Sequence, residues 1–171
     1  VYAVSSDGER ETILDLGDEQ PSGLGWLPDG SLLVVGMTRR QVLRATADGD
    51  LSIHADLSEV ATWHCNDMVV DARGNAYVGN FGFDLETRDS PASADLALVR
   101  ADGSVEVAAE GLGFPNGSVI TPDGSTLIVG ETMGQCYTAF TIGDDGSLSE
   151  RRTWAEVPGT APDGCSLDDD G

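Results

Sequence analysis

The sequence predicts an all-β fold, part of a β-propeller built from four-stranded antiparallel blades, and three observations predict it. Short runs of β-forming residues alternate with Asp-Gly and Asn-Gly turns, and no helical periodicity is sustained over three turns. Four segments share one layout: Pro21-Ser22-Gly23, Cys65-Asn66-Asp67, Pro115-Asn116-Gly117 and Pro162-Asp163-Gly164 each lead into an apolar stretch. Eight residues on from Ser22, Asn66, Asn116 and Asp163 stands a glycine every time: Gly30, Gly74, Gly124 and Gly171. The repeats follow one another at 44, 50 and 47 residues, the size of a propeller blade.

Each repeat parses in one order. An inner strand starts at the variable polar residue, as in Met68-Val69-Val70. A turn follows at Pro28-Asp29-Gly30, Ala72-Arg73-Gly74 or Pro122-Asp123-Gly124. The second strand is rich in β-formers, over 31–35, 75–78 and 125–129. A third strand reaches an outer hairpin marked by Asp7-Gly8, Asp48-Gly49, Asp102-Gly103 or Asp145-Gly146, and a fourth runs out through segments such as 105–109. Counted this way, the chain holds the outer strands of one blade, two complete blades, most of a third and the opening of another. It is one domain over 1–171 of about three to four blades. Val1 opens inside a strand-like run and Gly171 falls within a repeat, so the sequence is expected to be a piece of a longer propeller. The piece alone would expose sheet edges, and the other blades are expected to be required for folding.

Composition narrows the function. Thirty acidic residues stand against nine arginines with no lysine, for a net charge of -21, which opposes binding to nucleic acid or anionic membranes. No apolar run approaches membrane-spanning length. Cys65, Cys136 and Cys165 form no CxxC pair and cannot all pair within one chain, so a reducing, cytoplasmic setting is expected. Trp26, Trp63 and Trp154 read as blade packing and His54 as a surface residue.

Chain direction places the four variable polar residues at one mouth of the central channel. The loops between second and third strands return to that mouth, the middle one being the longest: Gly74 to Gly103 spans 29 residues, against 19 from Gly30 to Gly49 and 22 from Gly124 to Gly146. Asn and Asp oxygens are hard ligands suited to a divalent metal ion, calcium foremost, with magnesium, manganese or zinc as alternatives. Asn116 and Asp163, from adjacent repeats, are expected to share that ion, with a third ligand from outside this chain. Such an ion polarises a carbonyl, and Asp163 is then the best-placed general base. Zinc held by His64 and Cys65 with Cys165 is disfavoured, because adjacent strand residues point to opposite faces. No GxSxG elbow, GxxxxGK[ST] loop or GxGxxG fingerprint is present.

The stretches Asn66-Asp67-Met68-Val69-Val70-Asp71, Gly79-Asn80-Phe81-Gly82-Phe83-Asp84, Phe114-Pro115-Asn116-Gly117 and Pro162-Asp163-Gly164 resemble the senescence-marker-protein, gluconolactonase and luciferin-regenerating-enzyme family, also called regucalcin-like. The resemblance implies a six-bladed propeller with one divalent metal in its channel that hydrolyses small-molecule lactones or esters. It implies metal ligation by Asn116 and Asp163, proton transfer at Asp163, and substrate contacts from Asn66 and Asp84. His64 stands where some members carry a substrate-binding arginine, and the family's metal-binding glutamate falls upstream of Val1, so this piece alone is expected to be inactive. Two alternatives stay open: a non-catalytic calcium- or ligand-binding propeller, and a hydrolase of phosphotriesters.

Overall fold

The computed structural model describes residues 1–87 and 90–168, and among them every regular element is a strand. A hairpin of β1 (Tyr2–Val4) and β2 (Arg10–Thr12) comes first. Three four-stranded sheets follow, each an antiparallel meander in chain order. Blade one is β3 (Pro21–Trp26), β4 (Leu32–Gly36), β5 (Gln41–Ala45) and β6 (Leu51–Asp56). Blade two is β7 (Cys65–Val70), β8 (Ala76–Asn80), β9 (Ala94–Val99) and β10 (Val105–Leu112). Blade three is β11 (Pro115–Ile120), β12 (Thr126–Glu131), β13 (Cys136–Ile142) and β14 (Leu148–Glu156). The propeller expectation holds, with one correction: three blades are complete, because β14 closes the sheet that the sequence reading left partial. Gly171, the glycine of the fourth repeat, lies outside the described residues.

The second strands are buried on both faces, which is why they read as nearly unbroken apolar runs. Side chains alternate along a strand, so one strand feeds two cores. In β4, Leu33 and Val35 enter the core between blades one and two, while Leu32 and Val34 meet Val1, Leu14 and Leu16 from the other side. In β9, Ala97 and Val99 face blade one while Leu96 and Leu98 pack with Leu127, Val129 and Phe140 of blade three. Each fully buried Leu or Val contributes about 1.5–3 kcal/mol, so the stabilising contacts lie between blades rather than within a sheet.

The turns account for much of the acid. In the Asp-Gly-Ser turns the aspartate Oδ1 accepts the backbone N–H two residues on: Asp29 from Ser31 at 2.9 Å, Asp102 from Ser104 at 3.0 Å, Asp123 from Ser125 at 3.0 Å and Asp145 from Ser147 at 2.9 Å. Gly103, at φ 88°, is needed twice, since a Cβ there would also lie 2.3 Å from the His54 carbonyl of blade one.

Three residues differ from expectation. Trp26 and Trp154 are exposed, at 62% and 58%, because each lies on a sheet face that no neighbouring blade covers among the described residues. His54 is half-buried where blades one and two meet, with its Nε2 enclosed and unpartnered, and burial lowers its pKa.

Hydrogen bonds from the turns hold Asp29, Asp102, Asp123 and Asp145 below the ordinary value of 3.8. A depressed folded pKa gives stability that is present above the unfolded value and lost as pH falls through the folded one. Asp123→Ala is therefore expected to lower the thermal midpoint above about pH 5, with the gap to the parent protein shrinking toward about pH 2. Paired melts across that range check this, and a gap constant with pH would remove the carboxylate from the explanation.

Candidate active site

The inner strands begin one residue earlier than the sequence reading put them, and this moves the variable polar residue inside the strand. Pro21 pairs with Gly36 but Leu24 with Val34; Cys65 pairs with Asn80 but Met68 with Val78; Pro115 pairs with Glu131 but Ser118 with Val129. Each inner strand thus advances three residues while its partner advances two. A one-residue β-bulge sits at Ser22-Gly23, Asn66-Asp67 and Asn116-Gly117, at the same point of every blade. A bulge re-aims side chains out of the pleat, which is how an inner strand can present a polar group at the channel mouth while staying paired.

The third residue of the motif is set by the neighbouring blade. A Cβ on Gly23 would lie 2.4 Å from the Met68 nitrogen, and one on Gly117 would lie 2.4 Å from the Asp163 carbonyl. The gap is small enough that the Gly117 N–H donates to the Asp163 carbonyl at 3.1 Å. This bond makes 116–117 and 163 neighbouring strands of backbone. The amide of Asn116 is buried and its Nδ2 donates to Thr132 Oγ1 at 3.0 Å, while that hydroxyl donates to the Pro162 carbonyl at 2.6 Å. With the nitrogen engaged, Oδ1 remains as the acceptor of this amide. The carboxylate of Asp163 is exposed.

The other expected residues divide. Asn66 is buried and its Nδ2 donates to the Pro115 carbonyl at 3.5 Å, which ties blade two to the residue before Asn116. His64 is half-buried, stacked on Trp63 with ring centroids 4.9 Å apart, and edge-on to Phe81 at 5.9 Å. Asp84 turns inward to its own loop: Oδ1 accepts from Glu86 N at 2.8 Å and Thr87 N at 3.3 Å, so its hydrogen bonds do not join it to Asn66, Asn116 or Asp163.

The sequence reading passed over Asp67 and Thr132. Asp67 is half-buried, and burial, followed by the nearby Asp163 carboxylate, raises its pKa. The signal was available, because the third motif position reads Gly, Asp, Gly, Gly and the aspartate is the exception. Thr132 carried no such signal; only the folded chain puts its hydroxyl between Asn116 and Pro162.

Among the described residues no three His, Cys, Asp or Glu side chains gather into a metal site. Burial pushes the Cys65 thiol up to about 12, which keeps it protonated and makes it a poor ligand. The donor set that remains is an amide oxygen and a carboxylate, Asn116 and Asp163. These hard ligands fit calcium, magnesium or manganese and supply part of the roughly six or more oxygens such ions take.

The sequence profile of the SMP-30/gluconolactonase/LRE-like region matches residues 1–171. The chain belongs to this family. Among the relatives of this SMP-30/gluconolactonase chain, pentonolactonase XacC of Haloferax volcanii is 31% identical over 146 residues, covering 84% of the chain and 47% of the relative. The chain therefore spans about half the length of the curated relative it matches. A luciferin-regenerating enzyme superposes with a TM-score of 0.74 at 20% identity, over 91% of this chain and 54% of that one. A nidogen/laminin complex superposes equally well, at 0.74 and 18% identity over 95% and 58%, which shows that the fold by itself does not select a function.

Gly117→Ala is expected to destabilise by about 1–3 kcal/mol, because the added methyl meets backbone that cannot turn aside. Gly164→Ala, whose Cβ would meet nothing within 4 Å, is the matched control and should change stability little. Denaturant titrations of both variants check the pair, and equal effects would remove the close approach at Gly117 as the cause.

Proposed function

We propose that the complete protein carrying this sequence is a metal-dependent hydrolase of lactones, with Asn116 and Asp163 as two of the ligands to a divalent cation and Asp163 as general base. Residues 1–171 would then be one part of a single propeller domain. The observation that supports the reading most is the Gly117–Asp163 backbone hydrogen bond, which sets the Asn116 and Asp163 segments side by side at the bulge. When bound, the cation would supply Lewis-acid polarisation of the lactone carbonyl and neutralise charge that develops on its oxygen.

The residues have distinct tasks. Thr132 fixes the Asn116 amide so that Oδ1 is committed to the cation. Asn66, buried at the same level, offers its Oδ1 to a substrate hydroxyl while Nδ2 stays on Pro115. Asp163, exposed beside Asn116, takes a proton from the attacking water on a carboxylate oxygen as the new C–O bond forms. That proton then serves the ring oxygen that leaves when the acyl C–O bond breaks, so the lactone opens to a hydroxy acid. The 31% identical pentonolactonase supports a sugar lactone as the substrate class.

Asp163→Asn keeps an oxygen ligand but removes the base, and is expected to lower kcat for lactone hydrolysis by about 100-fold or more. Asn116→Ala is expected to weaken cation binding as read by calorimetry. Undiminished turnover in Asp163→Asn would end the assignment of the base. The competing reading, a propeller that only binds ligands, predicts cation binding with no lactone turned over in the parent protein.

A further inference from the structure

Five aromatic rings gather at the same mouth and are left without a task by the chemistry above. Trp63 stacks on His64, and His64 meets the edge of Phe81. Phe81 stacks on Phe114 at 4.6 Å and 19°, and Phe83 closes edge-on to Phe114 at 6.3 Å. The row crosses from blade two to blade three: Trp63 and His64 precede β7, Phe81 and Phe83 follow β8, and Phe114 precedes β11. Its positions are locked to the polar site, since His64 and Phe114 are the residues immediately before Cys65-Asn66 and Pro115-Asn116. Phe83 and Phe114 are buried, whereas Trp63, His64 and Phe81 are half-buried.

The row is held stiffly. Phe81 N donates to the His64 carbonyl at 2.9 Å. Gly82 N donates to the buried Asn80 Oδ1 at 3.0 Å, and Thr62 Oγ1 donates to the Gly82 carbonyl at 2.9 Å. Phe114 has φ 62°, a left-handed conformation that costs an aromatic residue about 1–3 kcal/mol and is kept only where the surroundings impose it. That turn is what lays the Phe114 ring on Phe81. Charge at the mouth is negative: Asp67 and Asp163 sit together there, while Arg39 is paired with Glu19 at 3.2 Å and Arg40 Nη1 donates to the Ala61 carbonyl at 3.0 Å.

We propose that His64 and Phe81, backed by Trp63 and Phe114, form the wall against which the apolar C–H face of a neutral sugar lactone stacks, so that the site selects uncharged lactone rings over rings bearing a carboxylate. This rests on the lactonase reading for the reaction, but the wall is a binding surface in its own right. An aromatic face takes the C–H face of a saturated ring, and its electron-rich centre, together with the half-buried Asp67, disfavours an anion. Asn66 and the cation site then meet the oxygens on the other side, which is the usual division of a pocket into apolar wall and few polar groups.

Three measurements on the complete protein test the wall. First, kcat/KM is compared for a neutral aldonolactone and for the same ring with a carboxylate in place of its terminal hydroxymethyl group; the neutral ring is expected to lead by about 10-fold or more. Second, Phe81→Leu keeps apolar volume but not the ring. It is expected to raise KM for the neutral lactone by about 3- to 10-fold with kcat within about twofold, and Phe81→Tyr is expected to restore it. Third, a 1,5-anhydrohexitol, which has the sugar ring but no carbonyl, is expected to bind by calorimetry and to lose a similar factor in Phe81→Leu. A preference for the carboxylate-bearing ring, or a Phe81→Leu variant with unchanged KM and unchanged anhydrohexitol affinity, overturns the wall. Absence of turnover with either lactone instead sinks the hydrolase reading, and the anhydrohexitol titration still decides the wall.

Discussion

Everything at the channel mouth depends on how closely one inner strand can approach the next. Gly117 has no Cβ, so the chain at Asp163 comes near enough to hydrogen-bond it, and Gly23 admits β7 in the same way. A methyl group at either position would overlap backbone, which cannot move as a side chain can. The short inter-blade distance brings Asn116 and Asp163 onto adjacent segments, lets Asn66 reach Pro115, and puts Phe81 of blade two within stacking range of Phe114 of blade three. At the matching position of blade two the motif carries Asp67, a half-buried carboxylate, where Gly23 and Gly117 have no room for a side chain.

Buried carboxylates keep the mouth loops in shape, and two blades achieve this from opposite ends. In blade one, Glu19 precedes the motif and accepts the Thr38 N–H at 2.8 Å and the Thr38 hydroxyl at 2.9 Å, with Gly36 at the end of the second strand packed against it. In blade three the register makes Glu131 the counterpart of Gly36 and Gly113 the counterpart of Glu19, and the carboxylate of Glu131 accepts the Gly113 N–H at 2.6 Å. Glycine and glutamate have exchanged places around one space that requires a single carboxylate. Blade two fills the matching strand end with Asn80, whose Oδ1 takes the Gly82 N–H. These groups are satisfied by hydrogen bonds, as buried polar groups must be.

The same reasoning separates scaffold acids from site acids. Asp29, Asp102, Asp123 and Asp145 spend their carboxylates on turns at blade edges, and their pKa values are depressed. Asp67 shows the opposite shift, raised by burial and by a second carboxylate. Four of the thirty acidic residues thus serve one turn chemistry used repeatedly, and Asp67 sits in the opposite environment.

How much of this was legible from residues alone follows from the range of each interaction. Strand positions, turns and the residue types suited to an oxygen-coordinated cation are set by local patterns of two to eight residues, and their recurrence every 44 to 50 residues gives the blade period, so Asn66, Asn116 and Asp163 could be singled out before any coordinates. The family could be recognised for the same reason. The bulge, the Asn116–Thr132–Pro162 chain, the exposure of Trp26 and Trp154, and the aromatic row all depend on how separate segments of the chain pack together. No local pattern encodes those contacts, because they exist only once neighbouring blades have packed closely enough for glycine to be the residue that fits.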